Sequence, residues 1–194
     1  MASGYSEQAA STAAATDCVS CRRENAVASS THAVVNSSGR SPLATLTGVQ
    51  ILGIGAYGPQ MIVRNEDLTE LGCDADWIIQ RTGIQQRRRA ADDEATSDLA
   101  YEAAVRCLAN AGVDSGDVDM ILVATMTPDT LTPSVACTVQ RRLGAVAAAV
   151  DLNAACSGFV YAMVTGMQFV RTGCSRRVLV IGSDVMSRII NPAD

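Results

Sequence analysis

The chain has no apolar run approaching the ~18 residues that a membrane-spanning helix requires, even though 48% of its 194 residues are hydrophobic. No membrane span is expected, and the length suits one compact domain with a tail. Histidine is nearly missing: His32 is the only one, and it lies in a polar stretch where solvation is the simpler reading. A second cysteine pair is missing too. Cys18-x-x-Cys21 has neither a partner pair nor histidines at finger spacing, so neither a zinc nor a redox centre is expected there. The seven cysteines form no close-spaced framework, which reads as free thiols in a reducing, cytoplasmic setting. A surplus of positive charge is also lacking. The net charge of -5 argues against nucleic acid as the main partner.

Residues 1–46 lack sustained periodicity and are rich in Ala, Ser and Thr. Such a segment buries too little apolar surface to offset chain entropy, so a disordered tail is expected. It also lacks the continuous apolar stretch of a secretory signal. An organelle transit peptide, hence a plastid location, is the alternative, although Glu7, Asp17 and Glu24 offset Arg22, Arg23 and Arg40.

Beyond the tail the pattern alternates. Gly48 to Ile54 reads as a strand, and Gly53-Ile54-Gly55-Ala56-Tyr57-Gly58 then spells G-x-G-x-x-G. A dinucleotide site needs a helix to open at that turn, whereas here Pro59 follows and helical pattern resumes only near Asn65. The motif is therefore a decoy. Asp74 to Ile84 reads as a short acid-capped helix stopped by Gly83. Trp77 and Arg81 share a face of it and could hold a nucleotide base and its phosphate; a packing Trp beside a solvated Arg is the plainer alternative. Arg87-Arg88-Arg89 reads as a loop, either solvated or a landing patch for an acidic partner.

A helix follows from Ser97 to Ala111, with Ala100, Ala104, Cys107, Leu108 and Ala111 as its apolar stripe, and Val118 to Thr125 reads as a buried strand. Met126 to Pro133 is a loop at that strand's C-terminal end, where open α/β sheets place ligands. Ser134 caps a helix to Leu143, Ala145 to Val150 reads as a fully buried strand, Ser157 to Thr172 as a long apolar helix, and Arg177 to Gly182 as a last strand. This alternation predicts a mostly parallel sheet with helices on both faces.

Cys156 falls at the joint between the Ala145–Val150 strand and the apolar helix. A thiol at a helix N-terminus faces unpaired backbone N–H groups and the positive end of the dipole, which favour a thiolate. A small buried cysteine that merely opens a core helix is the bland alternative. Gly158, Ala162 and Gly166 recur every four residues on that helix and leave one face nearly bare, so another backbone could approach closely there.

Trp77 to Ile84, Ala124-Thr125-Met126-Thr127-Pro128-Asp129, Pro133 to Cys137, Asp151 to Phe159 and Val180-Ile181-Gly182-Ser183-Asp184 together resemble the β-ketoacyl-acyl-carrier-protein synthase III family. The resemblance runs collinearly over about residues 47–194. It implies a thiolase-like αβα half, here incomplete, whose buried central helix packs against its counterpart in a second half, which would give the bare glycine face a purpose. It further implies that Cys156 takes an acyl primer from acyl-CoA, typically acetyl-CoA, with its own N–H helping the oxyanion. The acyl group is then condensed with malonyl-acyl-carrier protein, with loss of carbon dioxide, in a homodimer. No cofactor is implied, since acyl-CoA is a substrate. By the same resemblance Trp77 and Arg81 grip the CoA nucleotide and Met186 lines the acyl pocket.

Two positions depart from the pattern. Thr132 stands where many relatives carry a phenylalanine, which leaves room for a longer or branched primer, and Cys73 stands where a CoA-contacting threonine is common. A histidine and an asparagine of the second half are also absent, so the chain reads as a truncated synthase expected not to complete condensation alone. Two alternatives stay open. One is a non-catalytic subunit that pairs with a separate second half. The other is another thiolase-fold synthase, of the hydroxymethylglutaryl-CoA or secondary-metabolite type.

Overall fold

The structure is a computed structural model that describes residues 16–23, 48–71 and 74–189. Its core is set by two strands without a polar side. In β5 (Met120–Ala124) all five residues are buried, and in β7 (Arg177–Gly182) Val178 to Ile181 are fully so. The two pair in parallel, with Leu122 opposite Val180. Successive side chains alternate faces. Ile121, Val123, Leu179 and Ile181 therefore join one cluster with α2 (Thr96–Ala111) and α3 (Val135–Leu143). Met120, Leu122, Ala124, Val178 and Val180 join a second cluster with α4 (Gly158–Thr172). Helices thus cover both faces, as buried parallel strands require.

The five-stranded sheet has the order β2-β1-β7-β5-β6, with β2 spanning Val49–Tyr57 and β6 Ala148–Leu152. β1 (Thr16–Arg23) runs antiparallel to both of its neighbours, while β6, β5 and β7 run parallel to one another. The expected mostly parallel sheet is present, and β1 corrects the expectation of a disordered tail over 1–46 at residues 16–23. Composition understated that segment because the open backbone edges of β2 and β7, not its own side chains, supply its pairing. The rest of that stretch, His32 included, lies outside the described residues. β6 also differs from expectation. It is an edge strand with Val150 46% exposed and Val146 91% exposed just before it, because an apolar run does not say whether both faces are covered.

Gly53 to Tyr57 of the G-x-G-x-x-G stretch lie in β2, Gly58 follows its end, and no helix opens there. Its glycines serve packing instead: a Cβ on Gly53 would lie 2.8 Å from Ala111 Cβ, and one on Gly55 would lie 2.5 Å from Ala103 O. Arg87, Arg88 and Arg89 are not on a loop but in β4 (Gln86–Arg89), which pairs antiparallel with β3 (Met61–Arg64). Arg87 donates to Asn65 Oδ1 (3.0 Å) and Arg88 to the Pro59 carbonyl (2.9 Å), so two of the three guanidinium groups are tied to the fold.

The bare face of α4 is spent within this chain. Gly166 faces Val178 and Val180 of β7, each with a Cγ atom 3.0 Å from where its Cβ would be, and Gly158 faces Ala124 of β5 at 3.2 Å. Val160, Tyr161 and Val164 point away from the sheet and are 55%, 59% and 41% exposed. The expectation that the glycine face meets a second central helix is thereby corrected. Small residues sit where the sheet is closest, while Val170 is buried and Phe159, Met163 and Phe169 pack at the sides of the contact.

Candidate active site

β5, β6 and β7 end on one side of the sheet, at Ala124, Leu152 and Gly182. Their C-terminal ends enclose a cleft of about 160 Å³ lined by Ala124, Ala155, Cys156, Phe159, Gly182, Ser183 and Asp184. This is the ligand end of a parallel sheet. Cys156 is exposed and its thiol is free.

A strained turn puts Cys156 there. After β6 the chain folds back at Asn153, whose Oδ1 accepts from Ala155 N at 3.3 Å, and Ser157 N donates to Ala154 O at 3.1 Å. Between these bonds Ala155 is held at φ 47°, a left-handed conformation that is rare and costly for a residue with a Cβ. Strain of this kind, roughly 1–3 kcal/mol, persists where surrounding structure enforces it, and often at functional sites. Cys156 lies in the single 3₁₀ turn Ala155–Ser157 that leads straight into α4. The helix begins close to β5 because Gly158 has no Cβ to press on Ala124.

The opposite wall is held by hydrogen bonds. Ser183 N donates to Ala124 O (3.0 Å) and Ser183 Oγ to Thr96 O (3.1 Å), which ties the end of β7 to both β5 and α2. Asp184 Oδ1 accepts from Met126 N at 2.8 Å. On the far side of β6, Asp151 accepts from Val135 N and Ala136 N at 2.8 and 2.7 Å and so seats the N-terminus of α3.

The other residues singled out by sequence are not brought to this cleft. α1 (Ala75–Thr82) is capped by Asp74, which accepts from Trp77 N, and closed by Gly83 at φ 71°, as its sequence predicts. Arg81 Cζ lies 5.8 Å from the Trp77 ring centroid and Trp77 is 48% exposed, so the pair forms an open surface rather than a packed one. Thr132 is exposed on the loop after β5, and Met186 is half-buried at the start of the turn Met186–Arg188; neither lines the cleft. Cys73 lies outside the described residues. Ser183, Asp184, Phe159 and Ala155 line the cleft without having been singled out. Asp184 had a signal, since it follows a buried strand at its C-terminal end. The left-handed Ala155 had none, because alanine gives no hint of it. Among the described residues no helix is long and apolar enough to cross a membrane, and no group of His, Cys, Asp and Glu could hold a metal ion.

The chain is similar in sequence and fold to known proteins. Residues 150–194 match the family model described as 3-oxoacyl-[acyl-carrier-protein (ACP)] synthase III. A β-ketoacyl-[acyl-carrier-protein] synthase III of Rhodopirellula baltica is 62% identical over 152 residues, 78% of this chain and 44% of that protein. This chain belongs to the β-ketoacyl-[acyl-carrier-protein] synthase III family. A synthase III of Geobacillus kaustophilus is 52% identical over 76% of the chain and 48% of that protein. The crystal structure of the synthase III from Aquifex aeolicus superposes with a TM-score of 0.72 at 38% identity, covering 74% of this chain and 47% of that one. The αβα arrangement is thus the thiolase-like fold of synthase III proteins. The chain spans about half the length of the curated relatives it matches.

Proposed function

We propose that Cys156 is the nucleophile of an acyltransferase that primes fatty acid synthesis from an acyl-CoA. The observation that carries this reading is an exposed thiol, presented by a strained turn at the entrance of α4, in a cleft at the C-terminal ends of three parallel strands. The Cys156 sulfur attacks the thioester carbonyl, a tetrahedral intermediate forms, and the carbon–sulfur bond to CoA breaks. CoA leaves as a thiolate that takes up a proton, and the acyl group stays on Cys156. The backbone N–H of Cys156 is the proposed donor to the oxyanion. Trp77 and Arg81 supply the outer grip on the CoA nucleotide, with Trp77 stacking on adenine and Arg81 pairing with phosphate. Met186, just outside the described cleft, and Thr132 of a partner copy are the proposed neighbours of the acyl group, and the small Thr132 suits a primer larger than acetyl.

The second half-reaction is decarboxylative condensation with malonyl-acyl-carrier protein. It develops a carbanion that needs a proton or hydrogen-bond donor, and the described residues include no histidine. The acyl-enzyme step is therefore assigned to this chain's own residues, and condensation to a complete synthase, proposed to be a homodimer. The unpaired edge of β6, with Val146 and Val150 exposed, supports the dimer. Incubation with acetyl-CoA and longer acyl-CoAs, followed by intact-mass and peptide analysis, tests the reading. One acyl group on Cys156, abolished in Cys156→Ala, is expected; acylation that survives this substitution refutes it.

A further inference from the structure

We infer that Asp184 is a positioning residue for acyl transfer, fixing the cleft wall that faces Cys156; this rests on the acyltransfer reading above. One oxygen of its carboxylate accepts three hydrogen bonds from consecutive residues of the loop leaving β5. Met126 N lies at 2.8 Å, Thr125 Oγ1 at 3.2 Å and Thr127 Oγ1 at 3.3 Å from Oδ1. Donors converging on an ionised acceptor form charge-assisted bonds, stronger than neutral ones. Thr127 closes the arrangement into a ring. Its hydroxyl also accepts from Val185 N at 2.9 Å, and Thr127 N donates to Thr125 Oγ1 at 3.1 Å. The segment after β7 and the segment after β5 are therefore tied together by this clamp at Asp184, which itself lines the cleft with Cys156.

The loop beginning at Met126 reaches the exposed Leu131 and Thr132. It is tied to α2 by the Thr96 hydroxyl on the Thr127 carbonyl and by Ser97 N on Asp129 Oδ1 (3.1 Å), while the Asp184 bonds and Val185 N on Thr127 Oγ1 tie it to the segment after β7. A thioester entering the cleft must present its carbonyl carbon to the Cys156 sulfur within the narrow range of geometries that allows attack. Misplacement of about 1 Å from a distant change can cost about a hundredfold in rate. The clamp acts on orientation and not on the nucleotide grip, since Trp77 and Arg81 lie outside the cleft. It should therefore govern the limiting rate of acylation and leave the half-saturating acyl-CoA concentration nearly as it is.

The experiment compares wild type, Asp184→Ala and Asp184→Asn in the intact chain, with two readouts on Cys156. One is acylation by acetyl-CoA, followed by intact mass over a range of concentrations. The other is alkylation by iodoacetamide, which needs an accessible thiol but no oriented thioester. For Asp184→Ala the limiting acylation rate is expected to fall about ten- to a hundredfold, with alkylation preserved. Asp184→Asn keeps an oxygen for the three donors and should recover most of the loss. A wild-type acylation rate in the alanine variant, or a parallel fall in both readouts, overturns the assignment. Where the alanine variant does not fold, Thr127→Val, which deletes the hydroxyl of the ring and no charge, is read in the same way. A wild-type chain that is alkylated but never acylated overturns the acyltransfer reading and this inference with it.

Discussion

Replacing Gly55 by alanine offers a quantitative check on why the glycine-rich stretch exists. The added Cβ would lie 2.5 Å from Ala103 O and 2.7 Å from Cys107 Cα, with Cys107 N also in its path. These are backbone atoms, so no rotamer change relieves the overlap. Ordinary carbon contacts begin near ~3.5 Å, so α2 must move by roughly 1 Å away from β2. That helix carries eight buried residues, all of which feel the shift. Overpacking a well-filled core costs about 1–3 kcal/mol, and an obstacle of backbone on both sides belongs at the top of that range. With a urea slope of about 2 kcal/mol per molar, the unfolding midpoint should fall by about 1–1.5 M. Gly116→Ala is the control: a Cβ there meets nothing within 4 Å, and a change under about 0.5 kcal/mol is expected. Equilibrium unfolding followed by far-UV circular dichroism reads both. An unshifted midpoint for Gly55→Ala would refute the packing argument. If nucleotide binding were lost with stability intact, the dinucleotide site set aside at this motif would have to be taken up.

Three further outcomes follow from the same structure. Trp77→Ala, at a half-exposed ring, should change stability by less than about 1 kcal/mol while raising the half-saturating acyl-CoA concentration for Cys156 labelling about tenfold or more, as lost base stacking would; an unchanged value removes Trp77 from the nucleotide grip. Asp151→Asn leaves one of the two α3 N–H groups without an acceptor and should cost about 1–3 kcal/mol in urea unfolding, with a neutral result counting against the seat described for α3. The Tyr57 phenol donates to Glu94 Oε1 at 3.1 Å, and burial first, then that bond and the carboxylate charge, raise its pKa above the ordinary value. Folding thus favours the neutral phenol, a contribution fully present below the unfolded value near ~10 and lost as pH climbs through the folded one. The stability gap between wild type and Tyr57→Phe should therefore narrow above about pH 10, and a gap independent of pH would remove Tyr57 as its source.

The helices were legible in the sequence because their ends are chemically marked. Asp74 and Gly83 close α1, Gly112 ends α2, Ser134 and Gly144 bound α3, and Gly173 ends α4, each with the cap or left-handed turn that its residue type favours. β7 was equally plain. The β3–β4 hairpin was missed because its arms are four residues each, carry arginines, and are joined by a helical excursion in place of a turn dipeptide. At the cleft, Cys156 was foreseeable from the strand-to-helix joint. The clamp at Asp184 was not, since it pairs residues 57 to 59 positions apart through side chains whose convergence no local pattern records. The direction of the α4 glycine face was likewise undecided by periodicity alone, which marks a stripe but does not name what it touches.

The reversed strand at residues 16–23 has a bearing on how the chain reaches its final form. Its partner Arg177–Gly182 is synthesised some ~160 positions later, and contacts between such distant segments form slowly because closure entropy must be met before any pairing is gained. The middle of the sheet is thus the last part that can zip shut as the polypeptide leaves the ribosome. Until then β1 is paired on its β2 side alone, and a nascent chain of this design would benefit from a holding chaperone most in the interval before β7 emerges.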